Sequence, residues 1–112
     1  QVCAESIGTR HISGTGGQLD FVRGAAASTG GKSFICFPST AENGKVSRIK
    51  PILTPGAIVT TGKNEADYIV TEYGIAKMRG KSVRQRTEQL INIAHPKFRE
   101  ELKFAARKRY LI

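Results

Sequence analysis

Cysteine is scarce in this 112-residue sequence, and its scarcity excludes whole classes of protein. Cys3 and Cys36 cannot build a disulfide framework, and with only His11 and His95 beside them no zinc site can be assembled. No metal is therefore expected, and two buried, reduced thiols are the pattern of an intracellular, cytoplasmic protein. No apolar run approaches the length of a membrane span, so no membrane-embedded part is expected. Gln1–Ile7 reads as structured sequence and not as a signal peptide. Aromatic residues are few, at 7%, and the stacking aromatics and motifs of nucleic-acid-binding modules are missing. Internal repeats and low-complexity linkers are missing too. Acids are also short: nine Asp and Glu stand against 18 Lys and Arg, a net charge of +9.

What is present suits a soluble globular domain, with 39% hydrophobic and 24% charged residues. The length fits one small domain with a workable core. Because the chain opens on Gln1 with structured sequence, residues 1–112 are expected to be a C-terminal piece of a longer protein, with an N-terminal domain and part of this domain itself lying outside it. The positive charge favours anionic partners: nucleic acid, an anionic membrane surface or a phosphate-bearing small molecule. It gathers in two groups, Lys77, Arg79, Lys81, Arg84 and Arg86, then Lys97, Arg99, Lys103, Arg107, Lys108 and Arg109. Each group reads either as a solvated helix face or as an anion-attracting patch.

Along the chain, Val2–Ile7 reads as a short strand and residues 8–16 as loop, His11 included. From Gly17 onward Leu19, Val22 and Ala25–Ala26 recur at helical spacing until Gly30–Gly31 stop the segment. Ser33–Phe37 is an apolar run of strand length, and Asn43-Gly44 within Ala41–Lys45 marks a turn. Arg48–Leu53, Ala57–Thr61 and Ala66–Thr71 read as further strands. Ile75–Arg79 reads as a short helix ended by Gly80. Ser82 with Gln85 makes a capping box for a helix whose apolar face is Val83, Thr87, Leu90, Ile91 and Ala94. Pro96 suits the first position of a last helix, capped by His95, with Phe98, Leu102 and Ala105 as its stripe. Strands mixed with helices, and a glycine turn opening one of them, predict a layered α/β domain with a mixed sheet and C-terminal helices.

The stretch GTGGQLDF, Gly14 to Phe21, concentrates the chemistry. Glycines at a helix start expose backbone N–H groups at the positive end of the helix dipole. Such a nest takes a phosphate, a carboxylate or the oxyanion of a tetrahedral intermediate. The same residues could equally form a tight turn where a helix packs on a sheet. The spacing matches neither the dinucleotide pattern nor a P-loop. Glu72, after a strand, and Glu5 are carboxylates of open role, and no Ser–His–Asp or Cys–His arrangement fits the spacings.

Four stretches together resemble one family: QVCAESIG, GTGGQLDFVRGAAAS, PILTPGAIVTT and ADYIVTEYGIAKMRGKSVRQRTEQLINIAHPKFREEL. In order, they are similar to the C-terminal domain of the acetyl-CoA hydrolase/transferase family, closest in flavour to its 4-hydroxybutyrate and butyrate:acetate CoA-transferase branch. The resemblance implies two related α/β domains with the active site in the cleft between them. It also implies ping-pong transfer of coenzyme A from an acyl-CoA to a small carboxylic acid, through an acyl-glutamyl anhydride and a glutamyl-CoA thioester. The alternative in the same family is an acyl-CoA hydrolase, in which water resolves the thioester. The nucleophilic glutamate of the family lies upstream of Gln1; neither Glu5 nor Glu72 matches it. Carried over by position, Gly17 is the backbone oxyanion donor. Ser13, Gly16 and Gly17 line the coenzyme, and the Ala41–Lys45 loop, with Ala41 and Lys45 at its ends, closes on it. The CoA thioester is then a substrate, with no permanently bound cofactor, no metal, no nucleic-acid or membrane partner, and a homodimer as the full-length form.

Overall fold

The computed structural model describes residues 1–112, whose contacts divide into two units, Gln1–Ser33 with Ile52–Asp67, and Phe34–Pro51 with Tyr68–Ile112. The strands in chain order are β1 (Val2–Cys3), β2 (Ser6–Ile7), β3 (Arg10–His11), β4 (Phe34–Cys36), β5 (Thr40–Ala41), β6 (Val46–Ser47), β7 (Val59–Thr61), β8 (Tyr68–Thr71) and β9 (Gly74–Lys77). The helices are α1 (Gln18–Ala27), α2 (Val83–Ile93) and α3 (Pro96–Lys108). The mixed α/β class expected from the sequence is what the chain adopts.

In the first unit, the run expected as one strand over Val2–Ile7 is two, broken at Ala4–Glu5. β1 pairs antiparallel with β7, and β2 forms a hairpin with β3, so His11 lies in a strand and not in a loop. The break follows from Glu5, which turns its carboxylate inward to a polar partner and cannot continue an apolar alternation. α1 buries Val22, which contributes roughly 1.5–3 kcal/mol. Its first residue is tied to β7, Gln18 Nε2 donating to Thr61 Oγ1 at 2.8 Å.

The second unit is built on the sheet β4-β8-β9, with β4 parallel and β9 antiparallel to β8. Along the register Ile35, Ile69 and Ala76 share one face, and Ile69 and Ala76 are buried on the side that α2 covers. Phe34, Tyr68 and Lys77 form a row on the opposite face, where the two rings stack at 4.9 Å and the Lys77 ammonium sits 4.4 Å from the Tyr68 centroid. Cys36, Val70 and Ile75 make the next row of that face, and Phe34 and Ile75 stay 52% and 62% exposed.

Two segments differ from their expected structure. Ile75–Arg79 is not a helix: Thr71 faces Gly74 across a two-residue turn, and pairing with β8 makes Gly74–Lys77 a strand. Its side chains alternate, Ile75 exposed and Ala76 buried, a period of two that four residues cannot advertise against a helical period. Arg48–Leu53 is not a strand either. Ser47 donates its hydroxyl to the Ile49 carbonyl, which turns the backbone away once the β5–β6 hairpin is complete.

The C-terminal helices start where expected. Ser82 Oγ accepts from the Gln85 N–H and Gln85 Oε1 accepts from the Ser82 N–H, a full capping box worth about 0.5–2 kcal/mol. His95 Nδ1 accepts from the Lys97 N–H, and Pro96 opens α3. The expected stripes are met in part: Ile91, Ala94 and Leu102 are buried as expected, Val83 is exposed instead, and Ile93 and Ala106 are buried in addition. The thiols also differ from expectation, since Cys36 is exposed on the open sheet face and Cys3 only half-buried. No helix is long and apolar enough to cross a membrane.

Candidate functional site

The glycine turn belongs to the first unit. Glu5 shapes the loop before it: its carbonyl accepts from the N–H groups of Ile12 and Ser13 at 2.8 and 3.1 Å. Its buried carboxylate accepts from Thr60 Oγ1 at 2.9 Å and from Thr15 Oγ1 at 3.5 Å. Gly16 then takes a left-handed φ of +62°, which costs a residue with a Cβ about 1–2 kcal/mol. Gly17 is the N-cap of α1 at φ −98°, ψ 2°, with no side chain capping the helix. Its carbonyl accepts the first helical bond, from the Phe21 N–H at 3.0 Å, while the Gly16 and Gly17 N–H groups find no acceptor within the chain. Two unused donors therefore stand at the positive end of a ten-residue helix, in an exposed turn. Ser13 is exposed beside them and donates its hydroxyl to the Gly14 carbonyl at 3.2 Å.

Ala41 and Lys45 belong to the second unit, at the ends of the β5–β6 hairpin. Ala41 pairs with Val46, and Lys45 is exposed. Between them Glu42, Asn43 and Gly44 all have positive φ, at 53°, 55° and 83°, and the Lys45 N–H closes the loop onto the Glu42 carbonyl at 3.2 Å. The base of the hairpin is anchored by Glu72, whose Oε1 accepts from the Ser39 N–H at 2.7 Å. That hydrogen bond, more than any other influence, holds the Glu72 carboxyl below the usual range; desolvation opposes it, and the Glu72 backbone N–H, the Ser39 side chain and His95 add smaller pulls in the same direction. The Ser39 hydroxyl is fully buried yet meets no partner at hydrogen-bond geometry.

The structure thus gathers Ser13, Gly16 and Gly17 into one turn, and Ala41 and Lys45 into one hairpin. Sequence reasoning left the roles of Glu5 and Glu72 open, and both turn out to organise the loops that carry those residues. The signal for Glu5 is a pair of threonines, Thr60 and Thr61, inside an otherwise apolar strand, which announces polar partners across the sheet. The basic clusters are not two clean helix faces. Lys77 lies in β9, and Arg79 and Lys81 in the connection after it. Arg84 and Lys103 are paired with Glu88 and Glu100 at 3.0 and 2.7 Å, along an open groove of about 330 Å³ between α2 and α3. No group of three or more His, Cys, Asp or Glu side chains is placed to hold a metal ion.

The acetyl-CoA hydrolase/transferase C-terminal domain, as a family, matches residues 1–106. The chain belongs to that family. It is 62% identical over 110 residues to the 4-hydroxybutyrate coenzyme A transferase of Clostridium kluyveri, covering 98% of this chain and 26% of that one. It is 63% identical over 108 residues to the succinyl-CoA:cyclohexane-1-carboxylate CoA transferase of Geobacter metallireducens, covering 96% and 25%. The crystal structure of RipA from Yersinia pestis superposes with a TM-score of 0.89 at 48% identity, covering 98% of this chain and 24% of that one. Family members named acetyl-CoA hydrolase stand further off, that of Yarrowia lipolytica at 33% identity over 96 residues. The chain spans about a quarter of the length of the curated relatives it matches. Its fold is that of the acetyl-CoA hydrolase/transferase C-terminal domain.

Proposed function

We propose that the protein to which this chain belongs transfers coenzyme A between an acyl-CoA and a small carboxylic acid such as acetate, butyrate or 4-hydroxybutyrate. The observation that carries this reading is the identity of over 60% to relatives named as CoA transferases, against 33% to one named as a hydrolase. The chemistry is ping-pong: a glutamate attacks the acyl-CoA, the acyl-glutamyl anhydride is opened by the CoA thiolate, and the acceptor acid resolves the thioester. That glutamate lies outside residues 1–112, so this chain by itself transfers no CoA.

Within the chain, the Gly17 N–H is the donor to the developing oxyanion. It has no acceptor of its own and stands at a helix N-terminus, which supports this role. Gly16 and Ser13 flank the thioester end of the coenzyme; the Ala41–Lys45 loop is a coenzyme contact of its own, with Lys45 exposed in it. The net charge of +9 favours a substrate bearing several phosphates. CoA is a transient substrate in this reading; no cofactor is held permanently, and neither a metal, nucleic acid nor a membrane takes part. The full-length form is a cytoplasmic homodimer, a compartment that suits an exposed free thiol such as Cys36.

The test is CoA exchange by the full-length protein with a butyryl or acetyl donor, run with and without a carboxylate acceptor. Turnover that requires the acceptor supports transfer. Release of free CoA at the same rate in its absence makes the protein a hydrolase, and robust exchange by residues 1–112 alone refutes the external nucleophile.

A further inference from the structure

The chain has three asparagines, and the structure treats them very differently. Asn92 lies inside α2 and is followed by the buried Ile93, so the next backbone nitrogen is locked in the helical ladder. Asn64 is followed by Glu65, whose N–H donates to the Gly62 carbonyl at 3.2 Å. Asn43 stands apart: it is exposed, at the tip of a four-residue loop between two-residue strands, and Gly44 follows it. The Gly44 N–H has no acceptor within the chain. A Cβ built on Gly44 would meet nothing within 4 Å, so the space beside its Cα is open.

We propose that Asn43–Gly44 is a self-modification site, at which the chain deamidates through a cyclic imide without any enzyme. The Gly44 nitrogen attacks Asn43 Cγ; the new N–Cγ bond forms, the Cγ–Nδ2 bond breaks, and the displaced amide leaves as ammonia carrying the proton lost from the Gly44 nitrogen. Water then adds to either imide carbonyl and breaks one of the two C–N bonds. The products are aspartate in a normal backbone or isoaspartate in a backbone longer by one carbon. Nothing is oxidised or reduced, and water is the one co-reactant.

Three features of the hairpin favour that closure. Forming a five-membered ring from groups already on one residue pair is an intramolecular step, favoured by proximity. The competing demand is that the attacking nitrogen be free of a hydrogen bond and of a side chain, and Gly44 alone among the three successors satisfies both. The loop must also flex to bring nitrogen and Cγ together. Glycine permits this, and the β5–β6 pairing holds the loop through only two residue pairs. Under the function proposed above, the reaction would set a new carboxylate beside Lys45, against the coenzyme phosphates; the modification itself does not depend on that reading.

The experiment is prolonged incubation of the folded protein at mildly alkaline pH, followed by proteolysis and mass measurement of the peptides carrying each asparagine. The expected result is the mass gain of an amide-to-acid change on the Asn43 peptide, faster as pH rises, while the Asn64 and Asn92 peptides stay unchanged. Resolution of that peptide into aspartate and isoaspartate forms identifies the imide route. The Asn43→Gln variant keeps an exposed amide, at a small cost for holding the left-handed φ of 55°, and should lose the gain because its longer side chain closes a six-membered ring far more slowly. An Asn43 peptide that keeps its mass, or that gains it no sooner than the Asn64 and Asn92 peptides, overturns the proposal.

Discussion

Replacing Gly17 separates folding from function. At φ −98° and ψ 2° the backbone is open to any residue, and an added Cβ would meet only the Phe21 ring, at 3.4 and 3.6 Å. Phe21 is 81% exposed, so its ring can swing aside. For Gly17→Ala, the smaller entropy of the unfolded chain stabilises by about 0.4–1 kcal/mol. The poorer N-cap costs a similar amount, and the net change stays within about 1 kcal/mol. Gly17→Val adds three carbons beside the N–H that is proposed to hold the oxyanion, crowding the oxyanion away from that donor. Losing such a donor costs about 2.7–4 kcal/mol of transition-state stabilisation, a fall of roughly 10²–10³ in turnover. Unfolding of both variants in urea gives the stability, and CoA exchange by the full-length protein gives the turnover. Gly16→Ala serves as the contrast, since its φ of +62° makes the substitution strain the backbone as well. Val at position 17 with unchanged turnover refutes the oxyanion role. A loss of several kcal/mol of stability refutes the claim that the position is free of packing.

Three further outcomes follow from the packing and the caps. Gly31→Ala would drive a Cβ to 2.0 Å from the Ala25 carbonyl and 1.9 Å from Ser28 Oγ, so the turn after α1 must shift; a loss of about 1–3 kcal/mol in urea unfolding is expected. Ser82→Ala removes the acceptor for the Gln85 N–H and should cost about 0.5–2 kcal/mol, visible as a lower unfolding midpoint and weaker hydrogen-exchange protection in the first turn of α2. The folded-state pKa of Glu72 is lowered from 4.5, chiefly by the Ser39 N–H, so its charged form stabilises the fold above that value and the contribution fades as pH falls through the lowered folded pKa. The urea midpoints of the parent and Glu72→Gln should therefore differ by a constant amount near neutral pH and converge in acid; a gap that persists there contradicts the assignment.

Local signals carried over well into structure. Ser82 with Gln85, His95 before Pro96, the Asn43-Gly44 turn and the SFICF run each state their role within a few residues, and each adopts it. The failures are at long range. GIAK is a strand because β8 pairs with it, although its own four residues suit a helical turn equally well. Glu5 is buried because Thr60, 55 positions away, donates to it, and no window along the chain contains both. The turn over residues 13–17 was legible because three glycines in four residues have few explanations. The hydrogen bond from Ser39 to Glu72 was not, because a backbone donor leaves no mark in the sequence.

The uncovered face of the β4-β8-β9 sheet bears on how this chain behaves in company. β4 is an edge strand whose flank carries Phe34 and Cys36 toward solvent, in a short run of strong β-formers with no charge inside it. Such a run is a template on which a second copy could add a strand. Lys32 and Pro38 bracket it: the lysine places a charge just before the strand, and the proline, lacking an N–H, ends the ladder just after it. These two residues touch no proposed substrate, yet a charge on one side and a missing donor on the other both disfavour adding strand to strand at this edge.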